Sequence, residues 1–231
     1  SVEELPSQKI DASCIQHLSP EQQKQLLSLL DEFPDVFSEK PGCIKVREHR
    51  IDIAKDSGFV PKQMKEYRIP ETLKDEVDKQ IQEMLKLGII SPSNSDMASP
   101  LVCVLKGHKG QNKVRLAVDY RYINRFTIGD AQPTPDLEQT MQDVSKSKFI
   151  SCFDAKCGYW QIPVFKDHKK LTAFVCNGQL CEFNRMPFGL KCAGNTFVRA
   201  MNIVLQKFVI SANRLLMIWQ YVQTIGTNIW F

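Results

Sequence analysis

Residues 149–165 read FISCFDAKCGYWQIPVF. A short β-rich run ends in a carboxylate, Asp154, and a Gly-containing segment with two aromatics, Tyr159 and Trp160, follows at once. A carboxylate at the end of a buried strand is costly unless something cationic meets it. The pattern therefore asks for a cation and for residues that share it. The other groups able to do chemistry are eight cysteines: Cys14, Cys43, Cys103, Cys152, Cys157, Cys176, Cys181 and Cys192. Cys152/Cys157 and Cys176/Cys181 are C-x4-C pairs, which raises zinc. Neither pair is a knuckle-type C-x2-C and no histidine sits at ligand spacing, so the thiols read as reduced, half-buried groups of an intracellular protein.

Several elements must position these groups. In LSPEQQKQLLSLLDEFPDVF, Ser19 is an N-cap, Pro20 suits the first turn and Gln22 completes a capping box. Leu26, Leu27, Leu30 and Phe33 form its apolar face, and Pro34 ends it. Residues 39–48 read as a connector. A second amphipathic helix in PETLKDEVDKQIQEMLKLGII repeats Leu73, Val77, Ile81, Met84 and Leu85 at helical spacing, with Gly88 as its stop. SPSNSDMASP reads as a loop. Two β-branched runs, Leu101–Leu105 and Val114–Val118, flank a basic turn and predict a hairpin. A proline-marked loop (Pro133, Pro135), a helical stretch near Leu137–Val144 and the Asp154 strand follow. A second hairpin turns at Asn177-Gly178. A helix over Ala193–Lys207 places Phe197, Met201, Val204 and Leu205 on one face. The mixture lacks regular βαβ alternation, so the fold class is α+β.

The chain has 231 residues, enough for one or two domains, with 43% hydrophobic and 24% charged residues. No charge-free run of eighteen apolar residues and no secretory signal is visible, so no membrane association is expected. Because it starts with Ser1 and not Met, it is expected to be cut from something longer. The net charge of +4 hides an asymmetry. Residues 1–100 carry 13 Lys/Arg against 18 Asp/Glu, whereas residues 101–231 carry 17 against 8, a balance of −5 beside +9. A basic half points to a polyanion partner.

Five strings stand in a fixed order: ASPLVCVLK, KVRLAVDYRYIN, FDAKCGYWQIPV, TAFVCNGQLCEFNRMPFGL and TFVRAMNIVL. Their order and spacing resemble the reverse transcriptase of gypsy-type LTR retrotransposons, and more distantly retroviral ones. The stretches from LSPEQ through HRIDI to LGIISPSNSDMASP also look like the connector and early fingers of that family. The resemblance covers roughly residues 15–207 and implies the right-handed polymerase fold, with fingers, part of the palm and no thumb. Its boundaries would be a connector with one helix at 1–45, fingers at 46–128 and 165–192, and partial palm at 129–164 and 193–207. Residues 208–231 would form a tail foreign to the family.

The resemblance also implies the chemistry. Such polymerases extend an RNA or DNA template-primer by in-line attack of a 3′-hydroxyl on a dNTP, with two Mg²⁺ ions about 3.5–4 Å apart. Asp154 matches the family's first metal-binding aspartate, and Ala155 would add a backbone carbonyl. Arg115 matches the arginine that grips the triphosphate, for which a planar guanidinium is well shaped. Lys106 or Lys109 would supply a second cation. Tyr159 matches the aromatic beneath the sugar, where a ring leaves no room for a ribose 2′-hydroxyl. Pro187, Phe188 and Gly189 match the segment that faces the nucleotide. Cys157, Trp160, Gly194 and Asn195 depart from the commonest family residues.

In this family two further aspartates come from a Tyr/Phe-x-Asp-Asp hairpin shortly after the Ala193–Lys207 helix. No aspartate follows Asp167, and residues 183–231 hold no acidic residue. Where the hairpin belongs, the chain reads KFVISANRLLMIWQYVQTIGTNIWF. Shifting the frame, so that each codon takes the third base of one and the first two of the next, changes this. Met217-Ile218 must then read Asp, and Trp219-Gln220 must read Ala. The degenerate junctions allow Arg214 through Tyr221 to read Phe-Val-Asp-Asp-Met-Ala-Val. A slip of one or two bases near Gln206–Phe208 would put the tail out of frame. As written, the chain is expected to hold at most one Mg²⁺, weakly, and to be catalytically incomplete.

The alternatives are a non-catalytic nucleic-acid-binding remnant and a decayed open reading frame. Protease, RNase H and integrase motifs are not legible here, and the location expected is intracellular, cytoplasmic or nuclear.

Overall fold

The computed structural model describes residues 5–37, 40–106, 113–133, 138, 141, 142, 145, 146 and 155–206. The Asp154 strand, the turn between the first two long strands, most of the Leu137–Val144 stretch and everything from residue 207 lie outside these. The chain divides into two compact units, Ser1–Pro41 and Gly42–Phe231.

The first unit carries α1 (Pro6–Lys9), α2 (Pro20–Glu32) and short 3-10 turns at Ala12–Ile15 and Pro34–Phe37. The α2 cap is the expected box. Ser19 Oγ accepts the Gln22 N–H at 3.3 Å and Gln22 Oε1 accepts the Ser19 N–H at 3.0 Å. Ser7 N–H donates to Asp31 Oδ1 at 2.9 Å and ties α1 to α2. Leu30 is buried, but Phe33, expected on the same face, is 49% exposed. The helix stops at Glu32, and Phe33 takes φ −122° and ψ 56°, which turns it off the helical register.

The second unit is built on a five-stranded sheet in the order β1-β5-β4-β2-β3. The strands are β1 (Ile90–Pro92), β2 (Ser99–Lys106), β3 (Lys113–Val118), β4 (Phe174–Cys176) and β5 (Gln179–Phe183). The β2–β3 hairpin is antiparallel in the register Leu101↔Val118 to Lys106↔Lys113. In the β4–β5 hairpin Asn177 and Gly178 both have positive φ, 49° and 74°, as a tight primed turn requires. Among the described strands only β2 and β4 run parallel, Ser99 opposite Phe174. The expected loop SPSNSDMASP is shorter than its composition suggests, since Ser91-Pro92 finish β1 and Ser99-Pro100 begin β2. Both prolines stand at strand ends, where a missing N–H costs the ladder least.

Helix α3 (Lys74–Lys86) buries Val77, Ile81 and Met84 in one cluster with Phe174, Phe183 and Met186. It ends as the sequence predicts. Gly88, at φ +66°, lets its N–H reach the Leu85 carbonyl at 3.0 Å, and the Ile89 N–H reaches Met84 at 2.9 Å. Helix α4 (Arg121–Phe126) follows β3 directly, and α5 (Ala193–Leu205) buries Thr196, Phe197 and Ala200. Val204, expected on that face, is 38% exposed in the last turn of α5.

A strap over residues 49–54 laces these parts together. His49 N–H donates to Pro163 O, and the His49 carbonyl accepts from Phe165 N–H. Ile128 N–H donates to Asp52 O, and Ala54 N–H to Phe126 O. Cys14, Cys43, Cys103, Cys176, Cys181 and Cys192 are free thiols. Cys176 and Cys181 lie in the core, and burial pushes the Cys176 thiol up to about 11. Among the described residues no group of three His, Cys, Asp or Glu side chains is placed to hold a metal.

Candidate nucleotide site

Strand alternation decides where Arg115 points. Val114 and Val118 belong to the core and Leu116 packs against it, so Arg115 stands on the opposite face of β3. There its guanidinium lies over the Phe188 ring, 4.9 Å from the centroid. Phe188 in turn stacks on Tyr159, with centroids 4.9 Å apart and planes 23° from parallel. Tyr159 meets Phe197 of α5 at 5.4 Å. Four side chains from four separate parts of the chain thus form one column: Arg115, Phe188, Tyr159, Phe197.

The turn that delivers Tyr159 is tightly specified. Cys157 adopts φ 48° and ψ 48°, a left-handed conformation uncommon for a residue with a Cβ. Gly158 follows, and a Cβ there would come within 3.0 Å of the Phe197 ring and 3.5 Å of Ala155 Cβ. Gly158 is glycine because α5 approaches the backbone at this point. Tyr159 is only 5% exposed, and burial raises its phenol above the usual range.

The Pro187–Gly189 segment is held from α4. Asn124 Nδ2 donates to the Gly189 carbonyl at 2.8 Å, and Asn124 Oδ1 accepts the Lys191 N–H at 2.9 Å. Gly189 sits at φ +92°, where an added Cβ would lie 3.3 Å from the Val118 carbonyl. The lacing continues toward α5. Lys191 Nζ donates to Thr127 O, Asn195 Nδ2 to Asp130 O, and Arg199 grips both Asp130 carboxylate oxygens at 2.8 and 3.1 Å. The Arg199 hydrogen bond holds the Asp130 carboxyl below its ordinary range.

A second arginine lies on the surface beside this site. Arg121 donates through Nε and Nη2 to Asp119, and Tyr67 Oη donates to the same carboxylate at 3.0 Å. The Arg121 contact holds Asp119 below its ordinary value and raises Arg121. Asp119 thus fixes the Arg121 guanidinium, and Lys62, Lys65, Arg68 and Arg125 are exposed as well. Behind the column, His49 is buried and pairs through Nδ1 with Thr196 Oγ1 at 2.9 Å, which anchors the first turn of α5.

The structure therefore brings Arg115, Ala155, Tyr159, Phe188 and Gly189 into one neighbourhood. Asp154, Lys109 and the side chain of Lys106 lie outside the described residues. Asn124 and the Asp119–Arg121–Tyr67 group were not singled out from the sequence, and Phe197 was read there only as part of the apolar face of its helix. Asn124 carried one usable signal, an amide inside the short helix that follows the Arg115 strand.

Residues 105–221 match the family model described as reverse transcriptase (RNA-dependent DNA polymerase), a span that reaches past 207 into the final stretch. The foamy viral protease-reverse transcriptase solved with an RNA/DNA hybrid superposes with a TM-score of 0.69 at 22% identity, over 83% of this chain and 25% of that one. A selenomethionine-labelled mutant of the prototype foamy virus protein gives 0.71 at 24%, with the same coverage. These likenesses define the fold as that of the fingers and palm of a reverse transcriptase. The family match, over just more than half of the sequence, places the chain itself: it belongs to the reverse transcriptase family, as a domain of retrotransposon and retroviral Pol polyproteins.

Its relatives include the Pol polyproteins of the Drosophila melanogaster transposons 412 and 297, at 32% identity over 78% of the chain and 34% over 83%. The enzymatic polyprotein of cauliflower mosaic virus (strain CM-1841) is 38% identical over 58%. The chain spans only 15–20% of the length of these relatives.

Proposed function

We propose that this chain is the fingers and partial palm of the reverse transcriptase of a gypsy-type LTR retrotransposon polyprotein. The fingers would comprise 46–128 and 165–192, and the palm 129–164 and 193–207. The observation that carries the reading is the column of Arg115, Phe188 and Tyr159, a guanidinium and a buried phenol joined by one ring. A guanidinium with its N–H edge open suits triphosphate oxygens, and a phenol beside it suits the limits of a deoxyribose pocket. Lys106 or Lys109, at the neighbouring hairpin, would add charge.

Mg²⁺ is the metal that such a site would take, held by Asp154, the Ala155 carbonyl and the triphosphate itself. That set would hold one ion weakly and lacks the two further aspartates with which the family holds its pair. The chain as written is therefore a nucleotide-binding and template-binding half-site without efficient transfer. Losing about 4 kcal/mol of transition-state stabilisation already costs roughly a thousandfold in rate. The template-primer would lie along the exposed basic surface of Lys62, Lys65, Arg68, Arg121 and Arg125. A cytoplasmic or nuclear location follows from that role. Among the described residues no helix is long and apolar enough to cross a membrane.

Photo-crosslinking of radiolabelled dTTP in the presence of Mg²⁺ tests the site. The expected label falls about tenfold or more on Arg115→Gln, the loss of a charge-assisted contact, and competes better with dNTP than with rNTP. Labelling indifferent to Arg115 would overturn the assignment. The second reading, a nucleic-acid-binding remnant, is favoured by the +9 half of the chain. It predicts binding of RNA or DNA that weakens steeply with salt, without any labelled nucleotide.

A further inference from the structure

Phe188 matches a segment that faces the nucleotide, which suggests direct contact with the base or sugar. Its geometry says something different. The ring is engaged by the Arg115 guanidinium at 4.9 Å and by the Tyr159 ring at 4.9 Å. We propose that Phe188 is a positioning residue: it aims the Arg115 fork at phosphate and braces Tyr159 against Phe197, and it reaches the nucleotide through those neighbours. The proposal rests on the nucleotide reading above.

The arginines of this unit show why a ring is the right holder. Arg121 spends Nε and Nη2 on Asp119, and Arg199 spends the same two atoms on Asp130. Those carboxylates fix their arginines and consume their donors. A ring attracts the guanidinium through its π-face and asks for no N–H at all. Among the described residues Arg115 has no carboxylate partner, and its guanidinium lies over the Phe188 ring. Its five donors stay available for phosphate oxygens, while the ring limits the rotamers that binding must freeze. Arg50, held 3.8 Å over Phe165, shows that this way of holding an arginine recurs in the fold.

The position of the ring is itself set by the backbone. Asn124 pins Gly189 and Lys191, on the C-terminal side of Phe188. Met186 N–H donates to Ile162 O at 2.8 Å on its N-terminal side. Phe188 therefore stands on a segment fastened on both sides.

The test is a double-mutant cycle on the full chain with inorganic tripolyphosphate as probe, read by calorimetry. Phe188→Leu should weaken binding about fivefold, Phe188→Tyr should stay within about twofold of wild type, and Phe188→Leu should add nothing to Arg115→Gln. The direct spectroscopic readout is the Arg115 Nε–Hε resonance, shifted upfield by the ring in wild type and Phe188→Tyr. An unshifted wild-type resonance overturns the proposal. So does Phe188→Leu binding at the wild-type level, or an equal loss in the Arg115→Gln background, while the nucleotide reading stands. A wild-type chain with the shifted resonance and no tripolyphosphate binding overturns the nucleotide reading, and the proposal with it.

Discussion

Asn124 and Gly189 are joined by a hydrogen bond of 2.8 Å from the side-chain amide to the glycine carbonyl. The same side chain accepts from Lys191 N–H, so one residue of α4 fixes two points of the segment that carries Phe188. Removing both bonds in Asn124→Ala should cost about 0.5–1.5 kcal/mol, because both are exposed and water takes the place of the lost partner. Asn124→Asp keeps the acceptor and loses the donor, so it should fall between wild type and Ala. Urea midpoints at unchanged slope would show this order. Three equal midpoints would mean that the bridge is incidental.

The two glycines nearest Tyr159 should respond with opposite signs. A Cβ at Gly158 meets the Phe197 ring at 3.0–3.1 Å, whereas a Cβ at Gly194 meets the Tyr159 hydroxyl at an ordinary 3.5 Å. Gly158→Ala should destabilise by about 1–3 kcal/mol through overpacking. Pairing it with Phe197→Leu should return part of that loss. Gly194→Ala, in the first turn of α5, should stabilise by up to about 1 kcal/mol. Thermal melts of the single and double variants check both signs.

His49 makes the fold sensitive to acid. Burial, helped by His168 and Arg47, lowers its pKa from 6.5 to about 4. The unfolded chain then binds a proton that the folded chain resists. The contribution is fully present above about pH 6.5 and is lost as the pH falls to about 4, a span worth roughly 3 kcal/mol. His49→Gln should be less stable at neutral pH, where the Thr196 contact is altered, but should flatten the pH dependence in that window. An unchanged slope between pH 4 and 6.5 would count against this role for His49.

Much of the fold could be read from the chain because its signals are local. The Ser19 box, the Gly88 stop and the Asn177-Gly178 turn each depend on a few adjacent residues, and each forms as expected. Phe33 and Val204 were misplaced because helical periodicity does not say where a helix ends. The parallel pairing of β2 with β4 was out of reach, since Ser99 and Phe174 are 75 residues apart. In the site, Arg115, Tyr159, Phe188 and Gly189 stood out through the order of the motifs. Asn124 did not, and Phe197 stood out only as a core-face residue, because their work in the site is to touch residues distant in sequence. No pattern within YIN or TFV announces such a contact.

The account also predicts what the chain fails to do. A primed RNA template should not be extended by the purified chain. Asp154-dependent incorporation of dNTPs would contradict the view that this carboxylate lacks its partners.

The central claim is that Asp154 belongs with two aspartates that the written frame hides. It is tested most directly by the nucleotide sequence, genomic and cDNA, across the codons for Leu205 to Phe231. The account predicts that the shifted frame stays open and reads through an Asp-Asp hairpin at the codons of Leu216, Met217 and Ile218. A shifted frame that closes at once, or that encodes no aspartate pair there, would contradict it.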